Sequence, residues 1–245
     1  MKIIIATRFF EKNPKKIKSS QKKLAEFLNN SSNCNPQATL VAVNTEADKT
    51  NAIKHVNSLK LKNVYAFPVI PWGKFVPALN ALVSEANKLN ADQILFASLE
   101  VMLNPEIIKE LNKHLDNETL VVGAALSGHS FKKGKNIGDG KTVPWNTMAL
   151  WNMKFLKINA FPMIGEALFN QRHAGVEELA TIATYQQSFP FLKAKLIKIP
   201  NIEWKTDNFT SDRLKKHLKK MAAKIKRPDK QIKKLNIKPP RIIHI

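Results

Sequence analysis

The sequence predicts an α/β protein: a mostly parallel central sheet with helices on both faces, plus a basic helical extension at the C-terminus. Three observations carry this. Residues 1–118 alternate four times between a short apolar, β-branched run and a longer stretch with helical periodicity, the pattern of strand–helix units in one sheet. Residues 119–210 lose that alternation and hold three of the four tryptophans, as a mixed α+β half of the same domain would. Residues 211–245 carry 13 Lys and Arg against Asp212 and Asp229, so +11 of the net +21 lies in the last 35 positions.

The elements run in order along the chain. Lys2–Ala6 reads as a short buried strand, Ile17–Leu28 as a helix with Ile17, Leu24, Ala25 and Leu28 on one side, and Thr39–Val43 as a second strand. Ala47–Leu59 reads as a second helix and Val64–Ile70 as a third strand, stopped by Pro71. Pro77–Leu89 places Leu79, Leu82, Val83 and Ala86 on one stripe. Gln93–Ala97 is the fourth strand. Asn104-Pro105 then opens a helix through Leu115, with the proline where its missing N–H costs nothing. Leu120–Ala125 is strand-like, and Gly128–Thr142 is a glycine- and lysine-rich loop with the composition of either a lid or a plain connection. Beyond Trp204 the chain turns polar, then basic and helical from Asp212 to about Lys226, with Pro228, Pro239 and Pro240 interrupting the remainder.

Composition narrows the function classes. A chain of 245 residues, 44% hydrophobic, has enough apolar material for one large core. Cys34 is the only cysteine, which rules out an intrachain disulfide or a cysteine-built metal cluster. The apolar run Ile3–Ala6 is too short for a signal peptide, and no stretch approaches the roughly 20 apolar residues a bilayer span needs. The expectation is a cytoplasmic protein, so the glycosylation-type triplets at Asn117 and Asn208 carry no weight. The six histidines show no metal-ligand spacing.

One stretch of residues, 73–115, reads GKFVPALNALVSEANKLNADQILFASLEVMLNPEIIKELNKHL. It resembles the core of the inverting, family-2-like glycosyltransferases, which have the nucleotide-diphospho-sugar transferase (GT-A) fold. The resemblance rests on Gly73-Lys74 before a helix with Ala78-Leu79-Asn80, on the run Ile94–Val101 ending a strand, and on Pro105 opening the next helix. VNTEADKT (43–50) is similar to the family's turn after the second strand, and AGVEELATIA (174–183) to its Gly-Glu-Asp segment.

The resemblance implies a nucleotide-sugar donor, a hydroxyl acceptor on a glycan or a lipid-linked sugar, and a divalent ion, Mn2+ or Mg2+, between the donor's phosphates. It places residues 1–118 on the nucleotide-sugar side and 119–210 on the acceptor side. Thr7, Arg8, Asn44, Glu46, Lys74, Asn80 and Ser98 become donor-binding candidates. Glu100 becomes the metal ligand, although Ser98-Leu99-Glu100 stands where the family has Asp-x-Asp. Glu178 aligns with the base that deprotonates the acceptor, and Glu177 with the acid before it. Trp145, Asn146 and Thr147 supply an aromatic face and hydrogen-bonding groups for the acceptor. Trp151, six positions after Trp145, reads instead as a core residue. His129 and His173 fall near this expected site.

The serine in the metal motif and the amide at Asn44 leave a second reading open, a catalytically decayed domain that binds a nucleotide, a glycan or a protein. Nucleic acid is the least favoured partner, because no aromatic follows Phe209 to stack on bases. The basic segment 211–245, with Leu214, Leu218, Met221 and Ile225 along one side, fits an anionic membrane surface or packing on the main domain.

Overall fold

The computed structural model describes residues 1–11, 13–44, 51–166, 175–202, 204, 215, 218, 222 and 224–245. Their elements run β1 (Ile3–Phe9), α1 (Ile17–Asn33), β2 (Ala38–Val43), α2 (Ala52–Ser58), β3 (Val64–Pro68), α3 (Val76–Lys88), β4 (Gln93–Ala97) and α4 (Pro105–Lys113). Beyond them come β5 (Thr119–Ala124), β6 (Gly134–Ile137), β7 (Met148–Asn152), α5 (Met153–Asn159), α6 (Glu177–Ser188), β8 (Lys193–Ile197), α7 (Lys226–Leu235) and β9 (Arg241–His244). Short 3-10 turns precede α1 (Pro14–Lys16) and follow α5 (Met163–Glu166).

The nine strands form one sheet in the order β3-β2-β1-β4-β7-β5-β8-β9-β6. Strands β1 to β4 are parallel to one another, as are β5, β8 and β9; β7 runs antiparallel between β4 and β5, and β6 antiparallel at the far edge. This is the mostly parallel α/β sheet expected from the alternating pattern. Every residue of β2, β4 and β5 is buried, as strands covered on both faces must be. Because β1 is flanked by β2 on one side and β4 on the other, the chain's crossovers diverge there, leaving a crevice at the strands' carboxyl ends.

Several elements differ from the sequence expectation for identifiable reasons. Strand β1 continues to Phe9, with Thr7, Arg8 and Phe9 paired to Val41, Ala42 and Val43, so both donor candidates stand on the strand itself. Helix α1 runs on through polar Asn29–Asn33, because the buried Ser31 hydroxyl finds the Thr39 hydroxyl of β2 at 2.5 Å. Pro228 lies in the first turn of α7, where no intrahelical N–H is needed, so it starts a helix rather than ending one. Pro239-Pro240 lead into β9.

By sequence alone, β6 reads as loop and β9 as basic tail. In the structure they pair with each other, and β9 also pairs parallel to β8. The C-terminal residues therefore complete the sheet: Ile242 is fully buried, and the buried His244 bonds the Thr142 carbonyl through Nε2 at 2.9 Å. Along the expected apolar stripe, Leu218 and Ile225 are exposed, while Leu214 and Met221 lie outside the described residues. No helix among the described residues is long and apolar enough to cross a membrane.

If β9 is an integral strand, Ile242→Ala should cost about 2–4 kcal/mol in urea unfolding, the usual cost of truncating a core isoleucine. A loss below about 0.5 kcal/mol would mean that this segment contributes nothing to the fold.

Candidate functional site

Strand β4 ends in a tight turn. The Val101 N–H bonds the Ser98 carbonyl at 3.1 Å, and the Ser98 N–H bonds the Thr147 carbonyl at 3.0 Å. The turn presents Glu100 to a cavity of about 560 Å³ at the carboxyl ends of β1 and β4. Thr7 and Arg8 of β1 line it, as do Lys74 before α3, Ser98, and Trp145 to Thr147 before β7. Glu177 and Glu178 at the start of α6 line it as well, together with Lys224 and Arg227 from the C-terminal segment. The two acids from far-separated parts of the sequence, Glu100 and Glu178, thus face one hollow.

Glu177 and Glu178 are only 4% and 6% exposed. They occupy the first turn of α6, where the helix dipole favours negative charge. Val176 before them holds a left-handed backbone, φ 59°, unusual for a β-branched residue and therefore imposed by its surroundings. Glu178 Oε1 accepts the Asn146 backbone N–H at 2.6 Å, and Glu177 Oε1 lies 3.5 Å from the Asn146 amide nitrogen. Asn146 is itself fixed by the Trp151 indole N–H on its Oδ1 at 2.9 Å. Burial, and then the neighbouring Glu177 charge, pushes the Glu178 carboxyl up to about 8, with Lys224 opposing. Burial brings the Lys224 ammonium down to about 8, against the pull of both glutamates.

Trp145 is held from every side. His129 stacks on one face at 3.5 Å between ring centres, the Lys224 ammonium sits 3.0 Å from the ring centre on the other, and the indole N–H bonds the Gly140 carbonyl at 3.0 Å. Neither ring face is left open to a sugar in this arrangement. His129 Nδ1 accepts the Leu126 N–H and Nε2 lies 3.1 Å from the Val143 carbonyl, which fixes a neutral ring. Burial, reinforced by Lys224, lowers its pKa to about 3.

The remaining candidates divide. Arg8 donates to the Phe75 carbonyl at 3.2 Å and lies 5.4 Å over the Phe75 ring. The Thr7 and Ser98 hydroxyls are buried at the cavity with no hydrogen-bond partner among the described residues. Asn80 is elsewhere, its amide paired with the Phe161 backbone at 2.9 and 3.0 Å, where it ties α3 to the chain after α5. Asn44 is buried at the end of β2 and does not line the cavity. Glu46 and His173 lie outside the described residues.

Three residues that sequence reasoning missed shape the site. The Glu166 carboxylate accepts the Lys74, Phe75 and Val76 N–H groups, capping α3 and fixing the Gly73-Lys74 corner. Lys224 and Arg227 arrive from a lysine-rich stretch with no local pattern to separate inward from outward cations. The one trace is in the glycine loop: a Cβ on Gly140 would fall 1.8 Å from the Lys224 carbonyl oxygen, so only glycine lets that backbone approach.

A divalent ion is tested by its donor set. Among the described residues, no three of His, Cys, Asp and Glu lie together in a way that would hold a metal ion. Glu100 is the one carboxylate on the β4 turn, with a hydroxyl at Ser98 where the resemblance places an acid. These residues do not make the chelating set that the resemblance implies.

Neither a family model nor a curated protein matches the chain. Solved structures do. A mannosyltransferase from Pyrobaculum calidifontis, solved with GDP-mannose and Mn2+, is similar over 91% of this chain and 63% of its own, at 12% identity and a TM-score of 0.60. The 4-diphosphocytidyl-2C-methyl-D-erythritol synthase of Anaerococcus prevotii is similar over 90% of this chain and 95% of its own, at 12% identity and a TM-score of 0.50. The chain thus spans just under two thirds of the mannosyltransferase's length. At such identities the likeness is one of fold, and the fold is GT-A-like.

The raised Glu178 and lowered Lys224 make stability depend on pH with a definite sign. Between about pH 4.5 and 8 the native carboxyl keeps a proton that the unfolded one has lost, so stability falls as pH rises through that window. Between about 8 and 10.5 the native ammonium has released a proton that the unfolded one keeps, so stability rises again. Melting temperature measured across pH should pass through a minimum near 8, and Glu178→Gln should flatten the acid-side limb. A wild-type limb as flat as the variant's would contradict the burial described.

Proposed function

We propose that the protein is a glycosyltransferase that moves a sugar from a nucleotide-sugar donor to a hydroxyl acceptor with inversion. The observation that carries this is the shared cavity: the crevice of a GT-A-like sheet lined also by a buried carboxylate whose pKa is raised toward neutrality. The donor's diphosphate lies at the ends of β1 and β4, and the acceptor hydroxyl approaches from α6. Glu178 takes the acceptor proton as the new C–O bond forms at the anomeric carbon. The anomeric C–O bond to phosphate breaks on the opposite side, and its electron pair leaves on the nucleoside diphosphate.

Inversion requires the base and the leaving group on opposite faces of the sugar, and this reading assigns the base to α6 and the diphosphate to the end of β4. Asn146 acts by holding Glu178 through its backbone N–H, and burial, then the Glu177 charge, keeps the Glu178 pKa high. With Trp145 covered, the half-buried Trp204, edge-on to it at 6.0 Å, is the aromatic that receives the acceptor ring beside Thr147.

The test is incubation with a panel of nucleotide-sugars and glycan or lipid-linked acceptors, reading released nucleoside diphosphate and the product's anomeric configuration by NMR. Inverted product is expected, with turnover rising with pH toward a plateau above about 8 as Glu178 deprotonates. Glu178→Gln should lower turnover about 10²–10⁴-fold with donor affinity retained. Nucleotide binding without transfer to any acceptor would favour the decayed binding module.

A lipid-linked acceptor would place the basic C-terminal segment against an anionic surface. Sedimentation with phosphatidylglycerol vesicles should then weaken when the exposed Leu218 and Ile225 are changed to Glu. Unaltered sedimentation would remove the membrane from the account.

A further inference from the structure

Cations line the cavity from two parts of the chain, beside the acids Glu11, Glu100, Glu177 and Glu178. Arg8 and Lys74 enter from the β1 and α3 side, Lys224 and Arg227 from the C-terminal segment. Arg8 and Arg227 come together beside Phe75, and Lys224 lies against Trp145. Arg8 lies over the Phe75 ring, and a Cβ on Gly175 would meet Phe75 Cε2 at 3.3 Å and Arg227 Nη1 at 3.1 Å. Gly175 has φ +91° and is tied to α7 by the buried Gln231, whose amide donates to its carbonyl at 3.1 Å. The same cavity holds the buried hydroxyls of Thr7 and Ser98, which have no hydrogen-bond partner among the described residues, the first only 2% exposed. A buried hydroxyl without a partner is costly unless a ligand supplies one.

We infer that Arg8, Lys74, Lys224 and Arg227, with the Thr7 and Ser98 hydroxyls, form a cationic cradle for the donor's diphosphate that replaces the divalent ion. This rests on the proposed nucleotide-sugar reading. The chemistry matches: a diphosphate leaving group gains negative charge as the glycosidic bond breaks, and preorganised guanidinium and ammonium groups stabilise that charge without a metal. Arginine's planar fork suits phosphate oxygens, and in a partly desolvated pocket its charge is poorly screened. The basic C-terminal segment thereby acquires an inward role. Two of its cations serve the site, and β9 and α7 anchor them there.

The full-length protein, freed of metal with EDTA, is titrated calorimetrically with inorganic pyrophosphate and with UDP and GDP, then again in MnCl2. The cradle predicts at least one nucleotide and pyrophosphate binding with affinities that differ less than about threefold between EDTA and Mn2+ and that fall with added salt. Arg227→Ala and Lys224→Ala should each weaken binding about tenfold or more, whereas Arg227→Lys should keep most of it; wild-type-like melting and circular dichroism check that each variant is folded. Binding that needs Mn2+, vanishes in Glu100→Ala and ignores Arg227→Ala overturns the cradle and leaves the nucleotide-sugar reading standing. Failure of all three probes to bind with or without Mn2+ overturns both.

Discussion

Two carboxylates, adjacent in sequence and almost fully buried at the start of α6, set the terms for the rest of this structure. Burying one acid is expensive and burying two side by side more so, unless cations and N–H groups surround them or one keeps its proton. The chain uses all of these. The helix N-terminus and the Asn146 N–H face the pair, Lys224 and Arg227 come within Coulomb range, and Glu178 meets the remaining cost by holding a proton up to about pH 8. A carboxyl with those properties is poorly suited to a purely structural part and well suited to exchanging a proton near neutral pH.

That requirement reaches back into the fold. The cations must come from somewhere rigid, and they come from the end of the chain because β9 is locked between β8 and β6. The glycine-rich loop is fixed by the same contact. Its Gly140 lets the Lys224 backbone pass, its carbonyl holds the Trp145 indole, and Gly138 donates to the Pro240 carbonyl at 2.6 Å. The indole, pinned between His129 and Lys224, in turn positions the chain that presents Asn146 to Glu178. Sheet edge, loop, tryptophan and acid form one chain of contacts.

How much of this is legible in the sequence depends on the range of each interaction. Strand β4 reads from the sequence with its observed bounds, because a two-sided buried strand is apolar throughout and Pro105 marks the start of the next helix. The strand order's consequence, a crevice shared by Glu100 and Glu178, is also within reach of the pattern and the resemblance. Strands β6 and β9 are not. Each is four residues long and neither is apolar throughout; β6 is a strand only because of β9 about a hundred residues later, and β9 because of β6 and of β8 about fifty residues earlier. Trp145 suggests a sugar wall from its neighbours in sequence, and the groups covering it, His129 and Lys224, are invisible locally. Asn80 matches a family position but spends its amide on the Phe161 backbone. Glu166 sits in an unpatterned stretch, and nothing near it announces that it caps a helix 90 residues earlier in the chain.

In the proposed reaction one cavity holds a nucleoside diphosphate at β1 and β4 and an acceptor at α6. A crystal structure of the full chain with a bound nucleoside diphosphate tests it most directly. Density for the diphosphate is expected within hydrogen-bonding distance of Thr7, Ser98 and Arg227, with the Glu178 carboxyl across the hollow and open to a second ligand. Nucleotide density anywhere else, or a diphosphate seated against Glu177 and Glu178 with no room left for an acceptor, would contradict it.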